Sequence, residues 1–136
     1  MLFRSLAIIS GTGNTIGGTS VAMRNIISKN FEGIEAQDFT ANNTIQGNYI
    51  GTDSTGLLNR GNRLGDGVRI QGAANNTLVG GTVNGAGNLI AYNALNGVNM
   101  VAGTGQQVLG NTIYSNTTLG INLGTAGVTA RSEERV

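Results

Sequence analysis

Apolar and polar residues alternate over very short stretches of this chain, and the stretches recur. Gly67-Val68-Arg69-Ile70 has relatives at Gly33-Ile34-Glu35-Ala36, Gly97-Val98-Asn99-Met100 and Gly120-Ile121-Asn122-Leu123. In each copy an aliphatic residue follows the glycine, a polar one comes next and an apolar one after that, which is a half-buried strand of period two. The markers Ile34, Val68, Val98 and Ile121 are spaced by 34, 30 and 23 residues. Repetition at such intervals means stacked units. The stretch around Leu6-Ala7-Ile8-Ile9 extends the pattern towards the N-terminus, with Leu6 and Ile8 inward and Ala7 and Ile9 outward.

Two further elements recur. One is Asn43-Thr44-Ile45-Gln46-Gly47, with relatives at Asn14-Thr15-Ile16-Gly17-Gly18, Asn76-Thr77-Leu78-Val79-Gly80 and Gln106-Gln107-Val108-Leu109-Gly110. The other is Asn25-Ile26-Ile27, with Asn48-Tyr49-Ile50, Asn88-Leu89-Ile90 and Asn111-Thr112-Ile113. Three short strands per unit, separated by Gly and Asn that tolerate left-handed corners, make one turn of a three-sided solenoid. Insertions at residues 19–23, 52–62 and 82–87 account for the unequal spacings, leaving a parent turn of 23 residues.

The expected fold is therefore all-β: a parallel β-helix of about five short coils, three strands per coil, over residues 1–124. Residues 125–136 are expected to hold one weak extra strand around Val128 and a solvated tail. Leu6, Ile34, Val68, Val98 and Ile121 should stack inward on one face. Ile26, Tyr49 or Ile50, Leu89 or Ile90, and Ile113 should stack on another. Asn25, Asn48, Asn88 and Asn111 should form a corner column whose amides donate and accept along the axis. Nothing at either terminus reads as a capping helix, so the end coils are expected to pair with another chain or to belong to something longer.

Composition agrees and adds exclusions. Aromatics are 4% and charged residues 11%, with 23 glycines and no proline, cysteine or histidine. Such a mixture suits short strands joined by turns, and the absence of proline suits strands that must all donate to neighbours. A net charge of +1 from basic residues scattered along the chain makes no case for nucleic acid or an anionic membrane. Leu6 to Ile9 is too short for a signal-peptide core, and no stretch approaches a transmembrane span. Without histidine, a Ser-His nucleophilic triad is excluded. No cofactor is expected.

At Gly47-Asn48-Tyr49-Ile50-Gly51-Thr52-Asp53-Ser54-Thr55-Gly56 and Asn14-Thr15-Ile16-Gly17-Gly18-Thr19 the chain resembles the right-handed parallel β-helix repeats of the pectate lyase-like family, found in large bacterial secreted or surface-attached proteins. The resemblance covers residues 5–124. It implies the fold, with right-handed coils, and a secreted or cell-surface setting, and is nearly silent on function because such coils serve lyases, epimerases, tailspikes and adhesins alike.

A catalytic or sugar-binding solenoid of that kind uses acids on an outward face. Glu35 and Arg69 share one outward column, as a groove for a glycan or, more simply, a cross-strand ion pair on a wet face. No two carboxylates have the spacing of a glycosidase pair. Asp53 and Asp66 flank the longest insertion; a calcium site needs several oxygens close together, and an Asp-initiated turn ending at Gly56 explains Asp53 without a metal. Thr15, Thr44 and Thr77 form an outer column of strand-forming residues rather than an ice-binding face. Leu2, Phe3 and Ile9 are an oddly apolar outward group and the expected self-association surface. The expected function is a non-catalytic structural or interaction module that associates with itself through its end coils. The alternative is a β-helix that binds or cleaves polysaccharide through Glu35, Arg69, Asp53 and Asp66.

Overall fold

The computed structural model describes residues 6–124, and these form a parallel β-helix. The first sheet stacks β1 (Leu6–Ile9), β4 (Ile34–Gln37), β7 (Val68–Ile70), β10 (Val98–Met100) and β13 (Ile121–Asn122). The second stacks β2 (Thr15–Gly17), β5 (Thr44–Gln46), β8 (Leu78–Gly80) and β11 (Gln107–Leu109), and the third β3 (Ile26–Ile27), β6 (Tyr49–Ile50), β9 (Leu89–Ala91) and β12 (Thr112–Tyr114). Every pairing between these strands is parallel. The chain thus completes four coils and begins a fifth, where about five were expected. A single 3₁₀ turn at Val21–Met23 lies in the first excursion, and no helix among the described residues is long and apolar enough to cross a membrane.

Register in the first sheet follows the sequence pattern: Leu6 pairs with Ile34, Ile34 with Val68, Val68 with Val98 and Val98 with Ile121. Ile34, Val68 and Val98 are fully buried, whereas Leu6, on the outermost strand among the described residues, is 41% exposed. Ile45, Val79 and Val108 fill the second side of the core. Each such buried Ile or Val contributes roughly 1.5–3 kcal/mol. Among the described residues the core holds no aromatic; isoleucine and valine stacked coil on coil fill it, with Ala36, Ala74 and Met100 between them.

Two expected registers are off by one residue. On the third sheet the inward column is Ile27, Ile50, Ile90 and Ile113, so Ile26 faces outward at 41% exposure. Both residues of β3 are isoleucine, and alternation cannot orient a strand that has no polar member. On the second sheet Thr44 pairs with Leu78, not Thr77, which turns inward at the corner and is fully buried. The outer column therefore reads Thr15, Thr44, Leu78, Gln107, and the run of three threonines does not exist.

Three polar ladders line the corners. The Nδ2 of Asn25 donates to Oδ1 of Asn48 at 3.0 Å, that of Asn48 to Asn88 at 3.1 Å and that of Asn88 to Asn111 at 2.9 Å. Each acceptor oxygen also takes the backbone N–H of the residue one coil earlier, and the Nδ2 of Asn48, Asn88 and Asn111 also donates back to the carbonyls of Ile16, Ile45 and Val79. A second ladder runs from Asn30 through Asn62 and Asn93 to Asn116. Asn62 is thus a structural rung, and the long excursion ends before it. The third runs from Asn14 to Asn43 and is interrupted by Thr77 before Gln106. Amides held this way satisfy one another along the axis; the Thr77 hydroxyl, which interrupts the third ladder, is buried without a partner.

The glycine that precedes β4, β7 and β10 has a steric cause. A Cβ on Gly67 would lie 2.6 Å from the carbonyl oxygen of Gly97 and 2.7 Å from the Ile90 side chain, so neighbouring coils close only around hydrogen. At Gly80 the cause is conformational, because φ of 91° is costly for a residue with a side chain.

Candidate functional site

The outer face of the first sheet carries the polar residues of the recurring strand unit. Strands β4, β7 and β10 bury their first and third residues, which leaves Glu35, Gln37, Arg69, Gln71 and Asn99 together at the surface, each half-buried or exposed. Glu35 and Arg69 are register partners as expected. They do not form the expected ion pair. The Arg69 guanidinium instead reaches Glu32, Nη1 to Oε1 at 3.1 Å, while its Nε donates to Gln71 Oε1 at 3.0 Å. Gln71 Nε2 then donates to Glu35 Oε1 at 2.6 Å and to Gln37 Oε1 at 3.2 Å. The physical reason is burial: the Glu32 side chain is only 7% exposed, and a buried carboxylate gains more from a guanidinium than one already solvated.

Burial also pushes the Glu32 carboxyl above its ordinary pKa of 4.5; Arg69 works against the rise, while Glu35 and Asp66 add to it. Asp66 stands one coil above Glu32 at the same corner and is fully buried. Its Oδ1 accepts from the N–H and Nδ2 of Asn96 at 2.9 and 2.8 Å, and its Oδ2 accepts from Asn99 Nδ2 at 2.8 Å. Three carboxylates thus gather near Arg69, but Glu32 is tied into its ion pair and Asp66 into an amide cage. The half-buried Glu35, Gln71, Arg69 and Asn99 are what a ligand on this face would meet. Glu32 had no motif of its own; its place directly before Gly33, in the column that holds Asp66 before Gly67, was the available signal.

Asp53 lies elsewhere. Its carboxylate accepts from the Thr55 hydroxyl at 2.8 and 2.9 Å and from the backbone N–H of Leu57 and Leu58 at 3.2 and 3.1 Å. These bonds hold its pKa below the ordinary 3.8, the Leu58 N–H contributing most. The partners of Asp53 and Asp66 are disjoint, so the two acids expected to share a site serve two different structural tasks. Asp53 is the staple of the long excursion that leaves the third sheet after β6.

That excursion folds over an aromatic group that sequence reasoning did not assemble. The protein's three tyrosines all gather on the outer side of the third sheet. Tyr92 and Tyr114 pack edge to face with centroids 5.6 Å apart, and their hydroxyls donate to the carbonyls of Leu57 at 3.5 Å and Gly56 at 3.2 Å. Arg24 sits 4.0 Å above the Tyr49 ring, a cation–π contact, with its Nε donating to the Gly47 carbonyl. Elsewhere a depression of about 400 Å³ between residues 81–87 and the turn at Gly110 is lined by glycines with Thr82, Val83, Asn84 and Leu109, and offers no titratable side chain.

Of the expected self-association residues, Leu2 and Phe3 lie outside the described residues, and Ile9 occupies the last position of the outermost strand β1. The tail at 125–136 also lies outside them. No protein-family model, curated protein or solved structure matches this chain.

Proposed function

We propose that the chain is a non-catalytic β-solenoid module that works by interaction, joining copies of itself through its end coils, as a short member or piece of a larger repeat family of the pectate lyase-like kind. The observation that carries this reading is the polarity of the ladders. In each, backbone N–H and Nδ2 groups of one coil donate to the side-chain oxygen of the next. Among the described residues, the Oδ1 atoms of Asn14, Asn25 and Asn30 at one end therefore receive no donor, and the N–H groups of Gln106, Asn111 and Asn116 at the other find no acceptor. Ends that differ in this way are complementary. A head-to-tail contact between them repeats into a ring or a filament. The outer strands β2, β3, β11 and β12 add open sheet edges of the kind that pair with another chain.

Sedimentation velocity over a range of concentrations tests the reading. Assembly is expected, weakened by Gln107→Lys with Thr112→Lys on the outer strands and, separately, by Leu2, Phe3 or Ile9→Glu. A strict monomer at every concentration refutes it.

A second reading, polysaccharide binding or cleavage, draws support from the continuous guanidinium, amide and carboxylate network of Arg69, Gln71, Glu35 and Gln37 along the solenoid axis. It predicts retention on a glycan array, or depolymerisation of acidic polysaccharide, that is lost in Glu35→Ala or Arg69→Ala. Silence with and without calcium ends it.

A further inference from the structure

A net charge of +1 conceals a segregation that only the fold produces. Residues 57–64 read Leu57-Leu58-Asn59-Arg60-Gly61-Asn62-Arg63-Leu64; Gly61 and Asn62 are buried at the corner and the other six face solvent. Leu57 is 74% exposed, Leu58 55% and Leu64 56%. Stacking brings Lys29 of the preceding coil against this segment: its N–H donates to the Arg60 carbonyl at 3.1 Å, while the Arg63 N–H donates to the Asn30 carbonyl at 2.8 Å. Three exposed cations and the exposed Leu64 therefore share one corner, two coils deep, while Leu57 and Leu58 stand on the adjoining loop over the third sheet. Among the described residues, none of the three cations forms an ion pair.

The acid of the excursion is spent internally, since both Asp53 oxygens accept from the loop itself. The same bonds fix the tip, and the hydroxyls of Tyr92 and Tyr114 tether its carbonyls from behind. Leu57 and Leu58 are thus held out in water on an anchored loop, with hydrophobic area left uncovered. The tyrosines hold the loop from the sheet beneath it, and the exposed Arg60 follows Leu58 by two residues.

We propose that this corner docks on an anionic lipid bilayer, lying on the surface without spanning it. A bilayer presents hydrocarbon and, a few ångströms further out, negatively charged headgroups, the two chemistries that exposed Leu57 and Leu58 and the neighbouring Arg60, Arg63 and Lys29 complement. Tyrosine, with an apolar ring and a polar end, suits the headgroup level. A protruding aliphatic tip needs no shaped pocket on the other side, which favours a soft planar partner over a folded one. The proposal is independent of end-to-end assembly.

The test is co-sedimentation of the full chain with vesicles of phosphatidylcholine alone and of phosphatidylcholine mixed with phosphatidylserine. Three cations near the surface predict preference for the mixed vesicles on the order of a hundredfold, fading as salt rises. Leu57→Ser with Leu58→Ser should weaken binding roughly tenfold or more. Lys29→Gln with Arg60→Gln and Arg63→Gln should erase the preference between vesicles. Because all five side chains are exposed, both variants should keep the parent's thermal melt, which separates lost binding from lost fold. No binding to the mixed vesicles, equal binding to both, or full binding by the leucine variant overturns the proposal. So does a dimer in solution that disappears with the leucine substitutions, which would give the corner to a second copy.

Discussion

Two corners of the coil carry ladders of the same residue type and end up differently satisfied. Where the chain enters the third sheet, Asn25, Asn48, Asn88 and Asn111 form an unbroken column in which every side-chain oxygen past the first takes two donors. Where it enters the second sheet, Asn14 and Asn43 begin the same pattern, but Thr77 stands at the third level and Gln106 at the fourth. The longer Gln106 amide still reaches back, its Oε1 taking the Thr77 N–H at 2.8 Å and its Nε2 donating to the Ala74 carbonyl. The Thr77 hydroxyl has no such reach and is buried without a partner. A rung of this ladder must accept from the coil before it and donate to that coil's backbone at two separate points, which a terminal amide spans and the single oxygen of a short hydroxyl does not. The neighbouring outer positions carry no such demand and vary freely between Thr, Leu and Gln.

Breaking the intact column should have the largest effect. Asn88→Ala removes the acceptor of the Asn48 N–H and the donor to the Ile45 carbonyl, both within the packed corner. At about 1–3 kcal/mol for each orphaned group, a loss of roughly 3–5 kcal/mol is expected in urea denaturation. A loss below about 1 kcal/mol would mean that the ladder is ornament rather than support.

Repairing the interrupted column should have a smaller effect of opposite sign. Thr77→Asn supplies the side-chain oxygen that the ladder pattern calls for at this level and removes the stranded hydroxyl, for an expected gain of about 1–2 kcal/mol. Thr77→Val, which removes the hydroxyl without replacing the rung, should gain less. If the two variants are equally stable, the ladder contributes nothing beyond satisfying the hydroxyl.

The smallest expected effect concerns the corner where the column is acidic. The pKa of Glu32 is raised in the folded chain, so the folded state holds that proton more tightly than the unfolded one does. The stability this contributes is fully present below pH 4.5 and is lost as pH rises through the higher folded value. Urea midpoints of the parent and of Glu32→Gln, compared from pH 4 upward, should show the parent losing ground to the variant as pH climbs. Asp53 runs the other way: its folded pKa is lowered, so its contribution is present above pH 3.8 and lost as pH falls through the lower folded value. A parent-to-variant difference that does not change with pH would refute the assignment to Glu32.

Much of the solenoid was legible because its strands carry their own orientation. In the Gly67 unit a polar residue sits between two apolar ones, so Val68 and Ile70 could face inward only together. The Asn25 column was legible because asparagine recurs at a turn in every coil. The pattern failed where adjacent residues were alike: two isoleucines in β3, and Asn75-Asn76-Thr77 before β8, where any of three residues could open the strand. Site chemistry was less legible. Arg69 chose between two glutamates three residues apart, and burial, which no local pattern records, made Glu32 the partner.

By itself the sequence determined that this is a coil of short parallel strands with aliphatic walls and amide corners, because period and spacing are properties of the chain. It determined as well that no histidine- or cysteine-based chemistry is present. Only the tertiary structure decided which side chains meet. Tyr49, Tyr92 and Tyr114 became one aromatic group, and Lys29 joined Arg60 and Arg63, through hydrogen bonds between coils that bring residues more than twenty positions apart into contact. A solenoid reads out its neighbours along the axis rather than along the chain, so composition averages over surfaces that stacking separates.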